Sequence, residues 1–142
     1  DGTLYVADAV AACVHRFSEI DEALPPIGRP GRGEGELLRP KHACVTPSGL
    51  VAVTDAARQS VVVFDRDGRF QLEISGSEPH WPGFTLPCGI LYLDWSALPQ
   101  GVSTDLAPHQ EASEYLLISD SLGDVSLTLV ALERGGEPGG AP

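Results

Sequence analysis

Methionine is absent from the 142 residues, lysine occurs once, at Lys41, and aromatic side chains make up only 6%. No apolar run approaches the 18 residues a membrane-crossing helix needs, and no basic stretch with an apolar segment behind it opens the chain, so neither a membrane span nor a signal peptide is expected. The chain begins Asp1-Gly2-Thr3-Leu4-Tyr5, a turn dipeptide running straight into an apolar strand. With no methionine, that start reads as part of something longer. The three cysteines, Cys13, Cys44 and Cys88, form no CxxC and are too far apart for a metal hook. Val14, Ala43 and Val45 beside them mark small buried thiols in a reducing compartment, so a cytoplasmic location is expected. His15, His42, His80 and His109 give neither HxH nor HExxH, and no GxSxG occurs. Gly31-Arg32-Gly33-Glu34-Gly35 lacks both a following helix and a phosphate-binding lysine. No metal, no cofactor and no catalytic residues are expected. Positive charge is scarce as well: 9 bases against 20 acids leave a formal charge of −11, which repels phosphate backbones. The bases that exist are partly gathered, with Arg29, Arg32, Arg39 and Lys41 in one short stretch interrupted by Glu34 and Glu36. They are candidate ligand-facing residues.

What the chain has in quantity is punctuation, 16 Gly and 12 Pro, which makes it loop-rich. That punctuation is periodic. Residues 2–8 read GTLYVAD and residues 49–55 read GLVAVTD, so Asp8 and Asp55 stand 47 positions apart, and Phe17 and Phe64 follow them at the same spacing. A third copy, YLLISD at 115–120, ends at Asp120 with Leu129 at the phenylalanine position. Asp120 lies 65 positions after Asp55, yet Pro87 lies 47 after Pro40, so the excess of 18 is an insertion between Asp94 and Glu114. The inserted stretch is polar with two prolines, as a surface loop is.

The middle copy reads as four strands: His42–Thr46, a turn at Gly49, Leu50–Thr54, Ser60–Asp65, then Arg69–Ser75 after the hairpin signal Asp67-Gly68. Four short antiparallel strands in 47 residues is the size of a propeller blade, and one blade needs neighbours to cover both faces. Asp8, Asp55 and Asp120 are read as turn formers, since an Asp at a strand end can accept from the amides of the following turn. Gly49 and Gly68 are turn positions, and Phe17 and Phe64 packing residues. Trp81 and Trp95, the two tryptophans, lie around a connection between blades and are candidate ligand-facing residues, because such connections open onto the faces where ligands bind.

The middle copy resembles the NHL repeat through Gly31, Gly33, Gly35, Leu38, Pro40, Val45, Gly49, Val53, Asp55, Val61, Phe64, Asp65, Gly68 and Phe70. The first copy matches from Gly2 to Phe17, and the third departs at Glu114 and Leu129. The resemblance implies an all-β fold, a partial β-propeller of four-stranded antiparallel blades amounting to about half a ring. Residues 1–30 are then the end of one blade with its connection, and 31–78 a complete blade. Residues 79–132 are a blade with an inserted loop at about 95–113, and 133–142 a disordered tail. It further implies a non-catalytic target-recognition module for a protein partner, of the kind found C-terminally in tripartite-motif and RING-type ubiquitin ligases. Any ligase activity would reside in a RING region outside these residues. Two alternatives come with the resemblance: an RNA-binding domain, which the charge disfavours, and a metal-dependent propeller lyase or lactonase, which needs inward-pointing histidines that do not recur here.

Overall fold

The computed structural model describes residues 2–76, 83–94, 112–123 and 126–133. Ten strands follow in order: β1 Leu4–Asp8, β2 Cys13–Phe17, β3 Ala23–Ile27, β4 Pro40–Val45, β5 Val51–Asp55, β6 Ser60–Phe64, β7 Phe70–Ser75, β8 Pro87–Leu93, β9 Ala112–Asp120 and β10 Leu127–Glu133. Among the described residues there is no helix, so none is long and apolar enough to cross a membrane. The strands form three antiparallel sheets, β1-β2-β3, β4-β5-β6-β7 and β8-β9-β10, each joined by neighbours in sequence. The fold is all-β.

The 47-residue period is visible in the backbone. Asp8 pairs with Cys13 and Asp55 with Ser60, and the tight turns between them place Ala12 and Gln59, 47 apart, at φ of 51° and 58°. Gly68 closes the β6–β7 turn at φ 86°, where a Cβ would also press on Ile27 of the first sheet at 3.2 Å. A side chain is therefore disfavoured there twice, by backbone conformation and by space. Gly49 does the same for the β4–β5 turn at φ 94°.

The sheets stack face to face, and alternation along each strand decides which residues meet. Tyr5, Val14 and Ile27 of the first sheet pack on Val51, Val53, Val62 and Phe64 of the second. The opposite side of the second sheet, Ala52, Val61 and Val63, packs on Ile90, Leu116, Ile118 and Val130 of the third. The second sheet is thus covered on both sides, which is why every residue of β5 and β6 is buried and their sequences read as unbroken apolar runs.

Two features differ from the sequence reading. The position equivalent to Phe64 in the third sheet is Val130, not Leu129: Phe64 pairs with Val51, and Val130 with Leu116, which matches Val51 in distance from the terminal Asp. The connection after Asp120 is one residue longer than those after Asp8 and Asp55, since the Asp120 N–H bonds the Ser126 carbonyl. In addition, β9 begins at Ala112, inside the stretch assigned to the inserted loop. Its pairing with β10 runs three residues past the position equivalent to Phe64, through Ala131, Leu132 and Glu133, with a register shift between the last two.

Candidate interaction surface

The repeated aspartates tie connections to sheets. Asp55 is fully buried, and its Oδ1 accepts from the N–H groups of Ala57 and Arg58, both at 3.0 Å, closing the β5–β6 turn. The same carboxylate also accepts from Leu38 and Arg39, at 2.7 and 3.0 Å, the two residues before Pro40. Asp120 repeats the pattern with Leu122 and Gly123 in its turn, and Thr85 and Leu86 before Pro87. Burial alone pushes the Asp120 carboxyl up, but these four N–H donors together hold it below the ordinary carboxylate range. Asp8 keeps only the turn half, with Val10 and Ala11 at 2.8 Å; its Oδ2 faces His15 Nε2 at 3.2 Å.

Arg29, Arg32, Arg39 and Lys41 fall on the connection between the first and second sheets and on the start of β4. Leu37, fully buried, anchors the loop, and its N–H bonds the Arg29 carbonyl at 2.8 Å. Arg29 pairs with Glu36 at 3.0 Å. Glu36 also accepts the Gly33 amide, and this bond, followed by that to Arg29, lowers its carboxyl pKa. Arg32, Arg39 and Lys41 are exposed; Arg39 is fixed through its main chain, which donates to Asp55 and accepts from Ala56. Beside Arg29 lies an open cavity of about 320 Å³, with Pro26 and Phe70 as its apolar lining and Arg29 and Glu34 as its charges. Its lining is more polar than apolar, with one base and one acid at the rim.

The remaining candidates separate. Gly49 and Gly68 sit in the turns described above; Phe64 is buried in the core, whereas Phe17 is half-buried beside His15 at 6.5 Å between ring centres. Trp81 and Trp95 lie outside the described residues. Cys13 and Cys44 have thiols pushed up by burial, so they are poor nucleophiles. Among the described residues no three His, Cys, Asp or Glu side chains are arranged to hold a metal ion.

Three contacts escaped the sequence. Glu114, buried, accepts from both the N–H and the hydroxyl of Ser48 at 2.7 Å and so clamps the β4–β5 turn to β9. Its signal was a Glu standing where the repeat has a turn Gly. His42 Nδ1 accepts the Ile90 N–H at 3.0 Å, another link between the second and third sheets. On β7, Glu73 holds Arg58 through two bonds, of 3.0 and 2.6 Å, and accepts from Ser60. The Arg58 guanidinium, followed by the Ser60 hydroxyl, holds the Glu73 carboxyl below its ordinary value against the opposing effect of burial. A folded pKa below the unfolded one adds stability above the unfolded pKa, and that stability is lost as pH falls through the folded value. Glu73→Ala is expected to cost about 1–2 kcal/mol at pH 7, the exposed fraction of the pair having been discounted, and much less near pH 3. Urea unfolding at the two pH values measures the difference.

No family profile matches the chain. Part of it is similar to the RING finger protein nhl-1 of Caenorhabditis elegans, with 43% identity over 50 residues, covering 35% of this chain and 5% of that protein. Part is also similar to the protein lin-41 of the same organism, with 46% identity over 44 residues, 31% of this chain and 4% of the relative. The chain thus matches about a twentieth of the length of these relatives. Among solved structures, an exported protein from Bacteroides fragilis shares the fold, with a TM-score of 0.59 at 17% identity, over 92% of this chain and 32% of the other.

Proposed function

We propose that the chain is a stretch of NHL-type β-propeller, about half of a ring, that recognises a protein partner through its inter-sheet connections. The local identity with two proteins, one of them named for its RING finger, carries this reading. The repeating sheets support it: the second has the four strands of a blade, the first and third have three each among the described residues, and each is stacked on the next. The role is binding rather than catalysis, in the cytoplasm, and in a ligase it would select the substrate for a RING supplied elsewhere. The recess beside Arg29 and Phe70 is the surface assigned to the partner. Protein is preferred to RNA because the charge is −11 and Arg29 is already paired with Glu36.

The test is capture from cytoplasmic extract, followed by reconstitution with each captured protein after purification. The chain is expected to bind one of them with a Kd in the micromolar range or tighter, and Arg29→Glu, in a variant of unchanged circular dichroism, should weaken it about tenfold. Salt-sensitive micromolar binding of RNA on filters, or stoichiometric zinc or calcium on metal analysis, would overturn the reading.

A further inference from the structure

The turns that follow the repeated aspartates lie at one end of the stack, and their tips repeat as well. Val10, Ala57 and Leu122 each stand two residues after Asp8, Asp55 and Asp120, and all three are exposed, Val10 at 96% and Leu122 at 70%. The connections reach the same end, because Asp55 bonds both Ala57 in its turn and Arg39 before Pro40, and Asp120 bonds both Leu122 and Leu86 before Pro87. Successive sheets meet there too: Gln59 Nε2, in the β5–β6 turn, donates to the Thr85 carbonyl on the connection to the third sheet at 3.1 Å. These exposures do not arise from the ends of the chain. The sheet of Ala57 is packed on both sides, and the turn of Val10 is followed by its whole connection, yet both residues stay open to water.

Charge differs between the two ends. Arg32, Arg39 and Lys41, on the connection and at the start of β4, are exposed and stand in no ion pair among the described residues. Most acids around them are occupied. Asp55 and Asp120 are buried on main-chain N–H groups, Glu36 holds Arg29 and Glu73 holds Arg58, which leaves Glu34 as the exposed acid of that connection. At the opposite end the β2–β3 turn carries Glu19, Asp21 and Glu22, all exposed and without a base among them, and the β6–β7 turn pairs Arg69 with Asp65 and Asp67. Ile20 is 81% exposed there, but its counterpart 47 positions on is Asp67, so that apolar tip does not repeat. A chain of charge −11 thus turns one basic, apolar end to solvent.

The geometry points to this end as the docking surface for an acidic protein segment in which carboxylates stand beside large aliphatic side chains. The carboxylates meet Arg32, Arg39 and Lys41, and the aliphatic groups cover Val10, Ala57 and Leu122, so that charge guides the approach and the apolar tips supply the contact. Sheets packed face to face lie about 10 Å apart, so three successive tips span on the order of 20 Å, the reach of about six extended residues. RNA fits less well, because exposed bases are held by aromatic stacking, and among the described residues the aromatic side chain on these connections is Phe84, which is 5% exposed. That the partner is a protein rests on the proposed function. The surface adds to the recess beside Arg29, which lies at the start of the connection that Arg39 ends.

Selection of phage-displayed random peptides on the full chain tests the surface. The enriched peptides are expected to place Asp or Glu beside Leu, Ile or Val. A synthetic copy of the most enriched one should bind about tenfold more weakly to Lys41→Glu and to Val10→Asp, both exposed positions whose variants should keep the circular dichroism of the parent. Its affinity should fall as salt is raised, since the paired charges are exposed. Glu22→Lys, at the opposite end, should leave binding unchanged. No enrichment, basic or uncharged winners, equal loss in Glu22→Lys, or displacement of the peptide by poly-U RNA would overturn the proposal. A selected peptide weakened by Arg29→Glu but by neither Lys41→Glu nor Val10→Asp would overturn this surface and leave the recess standing. Acidic peptides that bind here, with no protein captured from extract, would overturn the proposed function alone.

Discussion

Replacing Asp55 by Ala should remove about 4 kcal/mol of stability, read as a drop in the urea midpoint, while Asp8→Ala should cost far less. Both residues end the same strand of the repeat, but their carboxylates do different amounts of structural service. Asp55 is fully buried and accepts from four main-chain N–H groups, two in its own turn and two from Leu38 and Arg39. Truncation leaves these donors unsatisfied in an enclosed place, and each such loss typically costs about 1–3 kcal/mol before water or relaxation recovers part of it. Asp8 accepts main-chain bonds only from Val10 and Ala11, with His15 beside its other oxygen, at an exposed turn where water can replace it. Equal losses at the two positions would mean that Asp55 does not hold the connection to its sheet.

Phe64→Ala should cost about 4 kcal/mol, within the usual range for emptying a buried phenylalanine site. Phe64 is 1% exposed between Val51 and Val62 of its own sheet and the first sheet behind them, and the surrounding β5 and β6 are buried at every residue, leaving little room to collapse into the cavity. Phe17 occupies the equivalent place 47 positions earlier but on the outer face of the first sheet, so Phe17→Ala in dilute, monomeric protein should cost about 1 kcal/mol, the transfer energy of a half-covered ring.

The middle sheet was the most legible part of the sequence, for a physical reason. Its strands β5 and β6 are covered on both faces, so Val51–Asp55 and Ser60–Phe64 stand out as apolar runs, and Asp67-Gly68 supplies the turn that Gly68 makes at φ 86°. The strand β3 was not legible, since Pro25 and Pro26 read as breakers. As the outermost strand of its sheet it has a ladder only to β2, and a proline on an edge forfeits little. The end of the third repeat was misaligned by one residue because spacing was counted from Asp120 as if its turn had the length of the other two. The aspartates show the limit of local reasoning most plainly. A turn-closing role follows from an Asp at a strand end, but the bonds from Asp55 to Leu38 and Arg39 span 17 and 16 positions, and no motif announces them. The same holds for Glu114, which reaches Ser48 across 66 positions. Of the proposed surface, Arg29 was legible as one of a basic group, whereas its neutralisation by Glu36 and its place beside Phe70 depend on how Leu37 folds the loop inward.

The central claim is that one unit is built repeatedly and that the middle copy is stabilised by being covered on both faces. Amide hydrogen exchange in the dilute chain tests it most directly, because exchange reports the free energy of opening strand by strand. The slowest amides should lie in Val51–Asp55 and Ser60–Phe64, opening only with global unfolding, while those of Leu4–Asp8 and Leu127–Glu133 should exchange through local opening. Uniform protection across all three sheets in the dilute chain, or a slowest core in the first or third sheet, would contradict the account.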